Sequence, residues 1–315
     1  MDRYVADPHW GVWIIAYFYL GGIAAGAYAT ACMARLFGDE QDRRGVRAAD
    51  YLAYPLVCVC GIILIIDLNR PERFWHMLIS SETFLPIFKW WSPMSVGSWG
   101  LSLFAAFSAF SFVAVLVEDK WISHPRLTWV SRLRVGFLGK VFAILGAGSA
   151  FFLGSYTGVL LAATNQPGWV QTPWLGALFL ASSASTGLAA IALIDRWLIR
   201  DVDKQVLRHL ERADRWAIVL EMVILGLFVW SFTPEDRHLL FDDLPGRLIP
   251  QVLVPFGLIA PLVLMSRHRR RGMAALAALL ILAGGLLLRY AIVELPRPLI
   301  YANTSLKSTT TGPQK

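Results

Sequence analysis

The chain has 315 residues, of which 56% are hydrophobic, and it carries a formal net charge of +7. Its mean hydropathy is +0.53, and its hydrophobic share exceeds the roughly 45–50% of soluble domains, which argues against a soluble fold. The three cysteines form no Cys-x-x-Cys pair, and we find no phosphate-binding glycine loop, no HExxH motif and no nucleic-acid-binding motif. The composition therefore points to a membrane protein without a metal centre of its own.

Apolar segments long enough to cross a membrane follow one another along the whole chain. A hydrocarbon core of about 30 Å needs about 20 helical residues, and no segment has the short alternating pattern of barrel strands. The first segment is longer than the apolar part of a signal peptide, so we expect it to be retained. The sequence predicts an all-α integral membrane protein with eight transmembrane helices, at about residues 10–34, 51–67, 92–117, 136–163, 173–194, 214–232, 248–266 and 272–292.

Glycines are concentrated in the first and fourth of these segments, in "GGIAAGA" and "LGAGSAFFLGS". Small residues permit close approach of membrane helices. They also occur in spans where they only relax the packing, so both interpretations stay open.

Positive charge is concentrated in alternate loops. Most of the 29 Lys and Arg residues lie after the first, third, fifth and seventh segments, represented by Arg43, Arg132, Lys204 and Arg269. The positive-inside rule places these loops in the cytoplasm. Both termini then lie on the outer side of the membrane.

Polar and aromatic side chains meet at the outer membrane level in this topology. Asp67 and Arg70 follow the second helix in "DLNRPERFW", Trp13 and Tyr17 lie early in the first helix, and Tyr156 and Asn165 lie at or beyond the end of the fourth. Ionisable groups at this depth are costly unless they function or pair. Hydroxyl donors and aromatic walls suit a quinone head group. The alternative is a local Asp67–Arg70 pair beside ordinary belt tyrosines.

Two further ionisable residues lie inside predicted spans. Glu221 and Arg289 are, with Asp67, the candidates for proton transfer. Glu221 also suits a paired structural role, and Arg289 also suits snorkelling to the headgroups or pairing within the bundle. Because the sequence reveals no polar chain between them, it favours proton release through Asp67 without pumping. All six histidines lie at or beyond span ends, which argues against membrane haem.

Four stretches together resemble the NrfD/PsrC family of membrane anchor subunits of respiratory molybdoenzyme complexes, such as polysulfide reductase. They are "YFYLGGIAAGAY" (17–28), "DLNRPERFW" (67–75), "SPMSVGSWG" (92–100) and "SYTGVLLAATNQPGW" (155–169). Tyr156 resembles the family's quinone-contacting tyrosine. Some members carry a histidine at the position of Tyr17 and a polar residue at that of Ile14.

The resemblance implies a fold of two four-helix bundles without redox cofactors, here residues 1–170 with the quinone site and 171–300, followed by a polar tail at 301–315. It implies that menaquinone or ubiquinone binds near the outer face. Electrons would pass between the quinone and an external four-cluster iron–sulfur subunit, and to or from a molybdopterin catalytic subunit. The alternatives are an ion- or proton-translocating subunit without a quinone, and a passive anchor.

Overall fold

The computed structural model describes residues 10–122, 128–134, 136–164, 166, 168–170, 172–195, 204–233, 238–241, 243–267 and 271–296. Within these ranges the chain forms helices, turns and one isolated β-bridge between Ile79 and Pro86. The all-helical class expected from the sequence is confirmed for this part of the chain. Asn165 and the tail at 301–315 lie outside the described residues.

Long helical regions correspond to each of the expected spans. We number them α1 (Val12–Phe37), α2 (Arg47–Asp67), α3 (Pro93–Glu118), α4 (Gly136–Ala162), α5 (Leu175–Ile194), α6 (Lys204–Trp230), α7 and α8 (Arg271–Glu294). The α7 region consists of Leu244–Leu248, a π-helical stretch at Ile249–Ile259, and Ala260–Arg267. Shorter helices cover Glu40–Gly45, Pro71–Met77, Thr128–Leu133 and His238–Phe241.

Seven of these regions, all except α6, are long and apolar enough to cross a membrane. Helix α6 has 27 residues, which is ample length. However, the expected span at 214–232 carries Asp214, Arg215 and Glu221, and charged residues dominate the first half of the helix. Seven helices are thus candidate spans by length and composition, and the eighth span stays a prediction.

The two halves of the chain share a hydrophobic core. Helix α1 packs against α2 and α4 of the first half, and equally against α5 of the second. One continuous cluster of buried side chains includes Phe18 and Leu161 from the first half with Phe179, Ile218 and Leu288 from the second. The proposed division into two bundles therefore stays an interpretation.

Glycines bring α1 and α5 into backbone contact. A Cβ atom on Gly26 would collide with the carbonyl oxygen of Ser183, and one on Gly187 would collide with the backbone of Gly26 and Ala27. Of the two interpretations of the "GGIAAGA" segment, close helix approach is the correct one. The crossing of α7 and α8 is similar, since Gly257 and Gly284 face each other there.

A group of ion pairs ties the helices together at the end of the bundle where α2 begins, which we call the Asp50 end. Asp50 is 2% exposed and pairs with Arg35 of α1 and, at 2.9 Å, with Arg134. Arg134 also contacts Glu118 of α3 at 3.4 Å. The opposite end, where α1 begins, is the Trp10 end.

Candidate functional site

A cavity of about 400 Å³ lies among α1–α4 near the Trp10 end. Small-molecule sites typically measure about 300–1,000 Å³ and are mostly apolar with a few polar groups. The walls here have that character, because most of the lining side chains are aliphatic, aromatic or sulfur-containing. Its polar side chains are those of Tyr17, Cys58, Asp67, Ser98, Ser102 and Tyr156.

The segment between α2 and α3 closes this cavity at the Trp10 end. Phe74, Met77 and Leu78 of the segment line the cavity. The Trp99 indole donates to the carbonyl oxygen of Ile87 at 2.8 Å, and the Ser98 hydroxyl lies 3.5 Å from the Met77 sulfur. Both contacts fasten the segment to α3 above the cavity.

The sequence also determines where α3 begins. Ser92 caps the helix by accepting from the amide of Ser95, and Pro93 occupies the first turn, where its missing amide costs no helical hydrogen bond. This start places Pro93 beside the end of α4. The Tyr156 hydroxyl donates to the Pro93 carbonyl oxygen at 2.6 Å.

Tyr156 is held firmly in the cavity wall. Its ring stacks on Phe152 with centroids 5.4 Å apart. Gly97 makes room for it, since a Cβ atom there would collide with the Tyr156 hydroxyl. The hydroxyl proton is committed to Pro93, so towards a ligand the Tyr156 oxygen acts as an acceptor, whereas the sequence analysis treated both tyrosines as donors.

Tyr17 and Asp67 are the polar groups with free capacity in this wall. Tyr17 is 4% exposed, and its hydroxyl has no hydrogen-bond partner among the residues that the structure describes. Asp67 is exposed, and in the same part of the chain no ion pair joins it to Arg70. The local Asp67–Arg70 pair is thus not formed in the described structure, and the role of both residues stays a prediction.

The structure thus brings together Tyr17, Asp67 and Tyr156 out of the six residues expected at the quinone site. Trp13 is 50% exposed on the outside of α1 and does not line the cavity. Arg70 is exposed and also lies outside the lining. The remaining expected residue, Asn165, lies outside the described part of the chain.

Sequence reasoning missed several wall residues. Trp10 lines the cavity and stacks on Trp169, with centroids 5.4 Å apart. Met94 and Gly97 come from the "SPMSVGSWG" stretch, which pointed to the family without indicating the role of its residues. The sequence signals that could have identified these residues are Ser92, which caps α3, and Gly97, which makes room for Tyr156.

The cavity reaches the surface of the bundle between α2 and α3. Its lining residues Cys58, Phe74 and Met94 are exposed. Cys58 is the exposed cysteine, whereas Cys32 and Cys60 are buried. An opening on the side of a membrane bundle gives access to molecules dissolved in the lipid.

Glu221 and Arg289 lie in a second polar cluster, between α1, α5, α6 and α8. The Ser185 hydroxyl donates to the Glu221 carboxyl at 2.6 Å, and Arg289 donates to Ser182 at 3.0 Å. Arg289 is buried and bonded within the bundle, so it does not snorkel to the headgroups. The role of Glu221 and Arg289 in proton transfer stays a prediction.

No group of three His, Cys, Asp or Glu side chains within the described ranges is arranged to hold a metal ion. With the cavity and the polar cluster located, comparison with known proteins shows which family the chain belongs to. The family model described as "Polysulphide reductase, NrfD" matches residues 5–296. The chain belongs to the NrfD family. Together with the seven apolar helices, this membership identifies a multi-pass membrane protein.

Several relatives of known name align over much of this NrfD-family protein. A polysulfide reductase chain from Wolinella succinogenes is 29% identical over 304 residues, which cover 90% of the present sequence and 92% of the relative. A tetrathionate reductase subunit from Salmonella typhimurium is 25% identical over 297 residues, covering 93% and 74%. Protein NrfD of Escherichia coli is 32% identical over 200 residues, covering 58% of each sequence.

Proposed function

We propose that this protein is the quinone-binding membrane subunit of a respiratory molybdoenzyme complex, bound to either menaquinone or ubiquinone. The observation that carries the proposal is the cavity among α1–α4, with Tyr17, Tyr156 and Asp67 in its walls and an opening between α2 and α3. The family relatives are named as components of polysulfide and tetrathionate reductases, which supports a role in a reductase complex.

The cavity fits a quinone in volume, in wall chemistry and in access. Its roughly 400 Å³ suit a flat ring, and the side opening lets an isoprenoid tail extend into the lipid. When bound, a quinone supplies two-electron, two-proton redox chemistry. The protein's own residues hold the ring and handle the protons.

Each polar residue of the wall has a distinct role in this proposal. The Tyr17 hydroxyl donates to a ring oxygen, since it has no partner within the described chain. The Tyr156 oxygen accepts from a ring hydroxyl, because its own proton is donated to Pro93. Asp67 is exposed at the outer end of the cavity, so its carboxylate accepts a proton and releases it to the outer side. Trp13 and Arg70 then belong to the approach rather than to the ring contacts, and Asn165 stays a predicted contact.

The partners follow from the same reasoning. A quinone in the cavity exchanges electrons with a redox partner beside it, and the resemblance suggests an external four-cluster iron–sulfur subunit and a molybdopterin catalytic subunit. The segment at 68–92 closes the cavity on the outer side and is the proposed side of electron exchange. We place the protein in the inner (cytoplasmic) membrane, with both termini on the periplasmic side.

The native Cys58 provides a direct test of binding. It lines the cavity opening, so a bound quinone analogue should protect it from a lipophilic maleimide in membranes that contain the complex. Loss of the Tyr17 hydroxyl in Tyr17→Phe should raise the analogue concentration needed for protection about fivefold, the equivalent of one hydrogen bond of about 1 kcal/mol. Tyr290→Phe, on the exposed side of α8, is the matched control.

Failure of a saturating redox-inactive analogue to protect Cys58 would refute the quinone site. The second candidate function, ion or proton translocation without a quinone, is favoured by the cluster around Glu221. It predicts no protection of Cys58 together with activity that depends on Glu221.

A further inference from the structure

The segment between α2 and α3 ends in a hairpin that presents large apolar side chains to the outside. Ile79 and Pro86 form the β-bridge of this hairpin, which we define as residues 78–91. Apolar side chains that are 58–74% exposed lie at its turn and in the chain after it, namely Phe84, Leu85, Phe88, Trp90 and Trp91. An exposed apolar surface of this kind marks a contact with a partner protein or with a membrane.

The turn of the hairpin is closed by its own hydrogen bonds. The Ser80 amide donates to the Leu85 carbonyl oxygen at 2.9 Å, and the Phe84 amide donates to the Ser80 carbonyl oxygen at 3.0 Å. Most other backbone amides between positions 79 and 89 also have acceptors, namely those of Ile79, Glu82, Thr83, Ile87 and Lys89. Paired backbone groups suit an apolar environment, because lipid offers them no hydrogen bonds.

Phe84 occupies a backbone conformation that favours smaller residues. Its φ of +52° lies in the left-handed region, which bulky side chains rarely adopt. Its ring lies 6.2 Å from the ring of Trp75, yet Phe84 stays 72% exposed. Neither the turn nor internal packing therefore accounts for a phenylalanine here, whereas contact with an apolar environment does.

The hairpin lies beside the first turns of α3 and not beyond the end of that helix. The Lys89 amide donates to the Ser95 hydroxyl at 3.1 Å, and the Ile87 carbonyl oxygen accepts from the Trp99 indole at 2.8 Å. Ser95 and Trp99 come two and six residues after Pro93, about 3 and 9 Å along the helix. The chain that leads into α3 thus runs alongside its own helix.

This part of α3 lies at the membrane interface. The helix has 26 residues and carries no charged residue from Pro93 to Val117. Its length of about 39 Å exceeds the hydrocarbon core of about 30 Å and is close to the 40–45 Å of a bilayer with its headgroup regions. The first turns of α3 therefore lie between the headgroups and the acyl chains, and the hairpin beside them lies at the same depth.

The hairpin is on the lipid-facing side of α3. Ser95, Trp99 and Leu103 are spaced four residues apart and so share one face of this helix. The hairpin contacts the first two, whereas Leu103, one turn further along, is 53% exposed. Because the exposed face of a membrane span contacts lipid, the apolar side chains of the hairpin continue the lipid-facing surface of α3.

The charged residues of the segment are separate from this apolar surface. Glu82 and Lys89 flank an uncharged run at 83–88. The other exposed charges of the segment come earlier in it, at Arg70, Glu72 and Arg73. A soluble partner protein would meet that charged part, whereas tryptophans beside an apolar run are typical of the headgroup level. Lipid is therefore the partner that the hairpin fits.

We infer that residues 78–91 form a hairpin inserted in the leaflet at the Trp10 end, with the exposed apolar side chains given above among the lipids. The inference does not depend on what the cavity binds. The hairpin directly follows Phe74 and Met77, which line the cavity. Its lipid contacts therefore hold the covering segment beside the opening between α2 and α3.

Photo-cross-linking in cells that assemble the whole complex tests this inference. p-Benzoylphenylalanine in place of Phe84 or Phe88 keeps a phenyl ring at each position, and peptide mass spectrometry identifies what its ketone captures. We expect phospholipid adducts from both positions. The same replacement at Ser81, which is exposed in the polar part of the turn, is the matched control and should give none.

Two results would overturn the inference. Capture of another polypeptide from positions 84 and 88 would show that a protein covers the hairpin. Absence of lipid adducts from both positions, in a complex that retains assembly, would place the hairpin in water.

A charge introduced into the hairpin gives an independent test. Phe88→Asp places a carboxylate at a depth where ionisable groups are costly. The hairpin should then leave the leaflet, and the lipid adducts from position 84 should be lost. Ser81→Asp should leave these adducts unchanged. Lipid capture from position 84 that survives Phe88→Asp would contradict the insertion of Phe88.

Discussion

The Tyr156 hydroxyl donates to the Pro93 carbonyl, and its oxygen is an acceptor in the cavity. One substitution removes the hydroxyl and leaves the rest of the site in place. In Tyr156→Phe the bond to the Pro93 carbonyl and the acceptor in the cavity are both lost, while the ring stacking on Phe152 is kept. We expect about fivefold weaker binding of a quinol analogue, since one hydrogen bond contributes about 1 kcal/mol. Quinol-dependent turnover of the assembled complex should fall.

The measurement is steady-state activity with a quinol analogue, together with the amount of assembled complex in the membrane. Tyr290→Phe serves as the control, because Tyr290 lies outside the cavity lining and is 41% exposed. Normal turnover and affinity in Tyr156→Phe would count against a contact between this hydroxyl and the ring.

For individual residues, the sequence predicted the residue types and their depth along the helices better than it predicted which side chains line the cavity. Tyr17, Asp67 and Tyr156 were found because polar groups at one membrane level are unusual. Trp13 was included on the same ground, yet the helical rotation of α1 turns it outward and turns Trp10 to the cavity instead. Depth follows from counting residues, whereas orientation depends on packing partners that one sequence does not identify.

Among the helices, the α1–α5 contact is the most sensitive to added volume. Gly26→Ala places a methyl group against the Ser183 carbonyl oxygen, which is backbone and cannot rotate away. We expect a loss of about 1–3 kcal/mol in stability, the usual cost of overpacking. Thermal unfolding in detergent should detect it.

Gly148→Ala is the matched control for this substitution. Gly148 lies on an exposed side of α4 with nothing within 4 Å of an added Cβ. Alanine there should be neutral or slightly stabilising, because glycine is the poorer helix former. Equal thermal stability of the Gly26→Ala variant and this control would contradict the close α1–α5 contact.

The ion pairs at the Asp50 end give a second prediction for the helices. Asp50→Asn leaves Arg35 without its carboxylate partner and removes one of the partners of Arg134. Breaking a buried pair costs about 3–5 kcal/mol, so the variant should unfold at lower temperature or fail to accumulate. Asp42→Asn, which removes an exposed pair with His209, should cost less than about 1 kcal/mol.

If Asp50→Asn were as stable as Asp42→Asn, the buried network would contribute little to the fold. The sequence analysis began the second span at residue 51, whereas the helix begins at Arg47 and includes the charged Asp50. Hydropathy locates the apolar part of a helix well. It misses helical turns whose charges are neutralised by other helices.

The topology of the whole molecule depends on whether α6 crosses the membrane. Its 27 residues span about 40 Å at 1.5 Å per residue, more than a hydrocarbon core requires. From Trp216 to Trp230 its only charged residue is Glu221, which bonds to Ser185 and so does not face lipid unpaired. The charged first half then extends beyond the membrane, as the positive-inside rule expects for Lys204 and Arg208.

We therefore predict that the two ends of α6 lie on opposite sides of the membrane and that Gln205 is cytoplasmic. In a Cys58→Ser background, Gln205→Cys should be labelled by a membrane-impermeant maleimide only after cells are opened, and Thr233→Cys should be labelled in intact cells. An even number of spans also returns the C-terminus to the side of the N-terminus. Labelling of Gln205→Cys in intact cells would invert the orientation, move Asp67 to the cytoplasmic side and remove the proposed outward proton release. Labelling of both cysteines on one side would leave α6 outside the set of spans, even though it packs against α5 along much of its length.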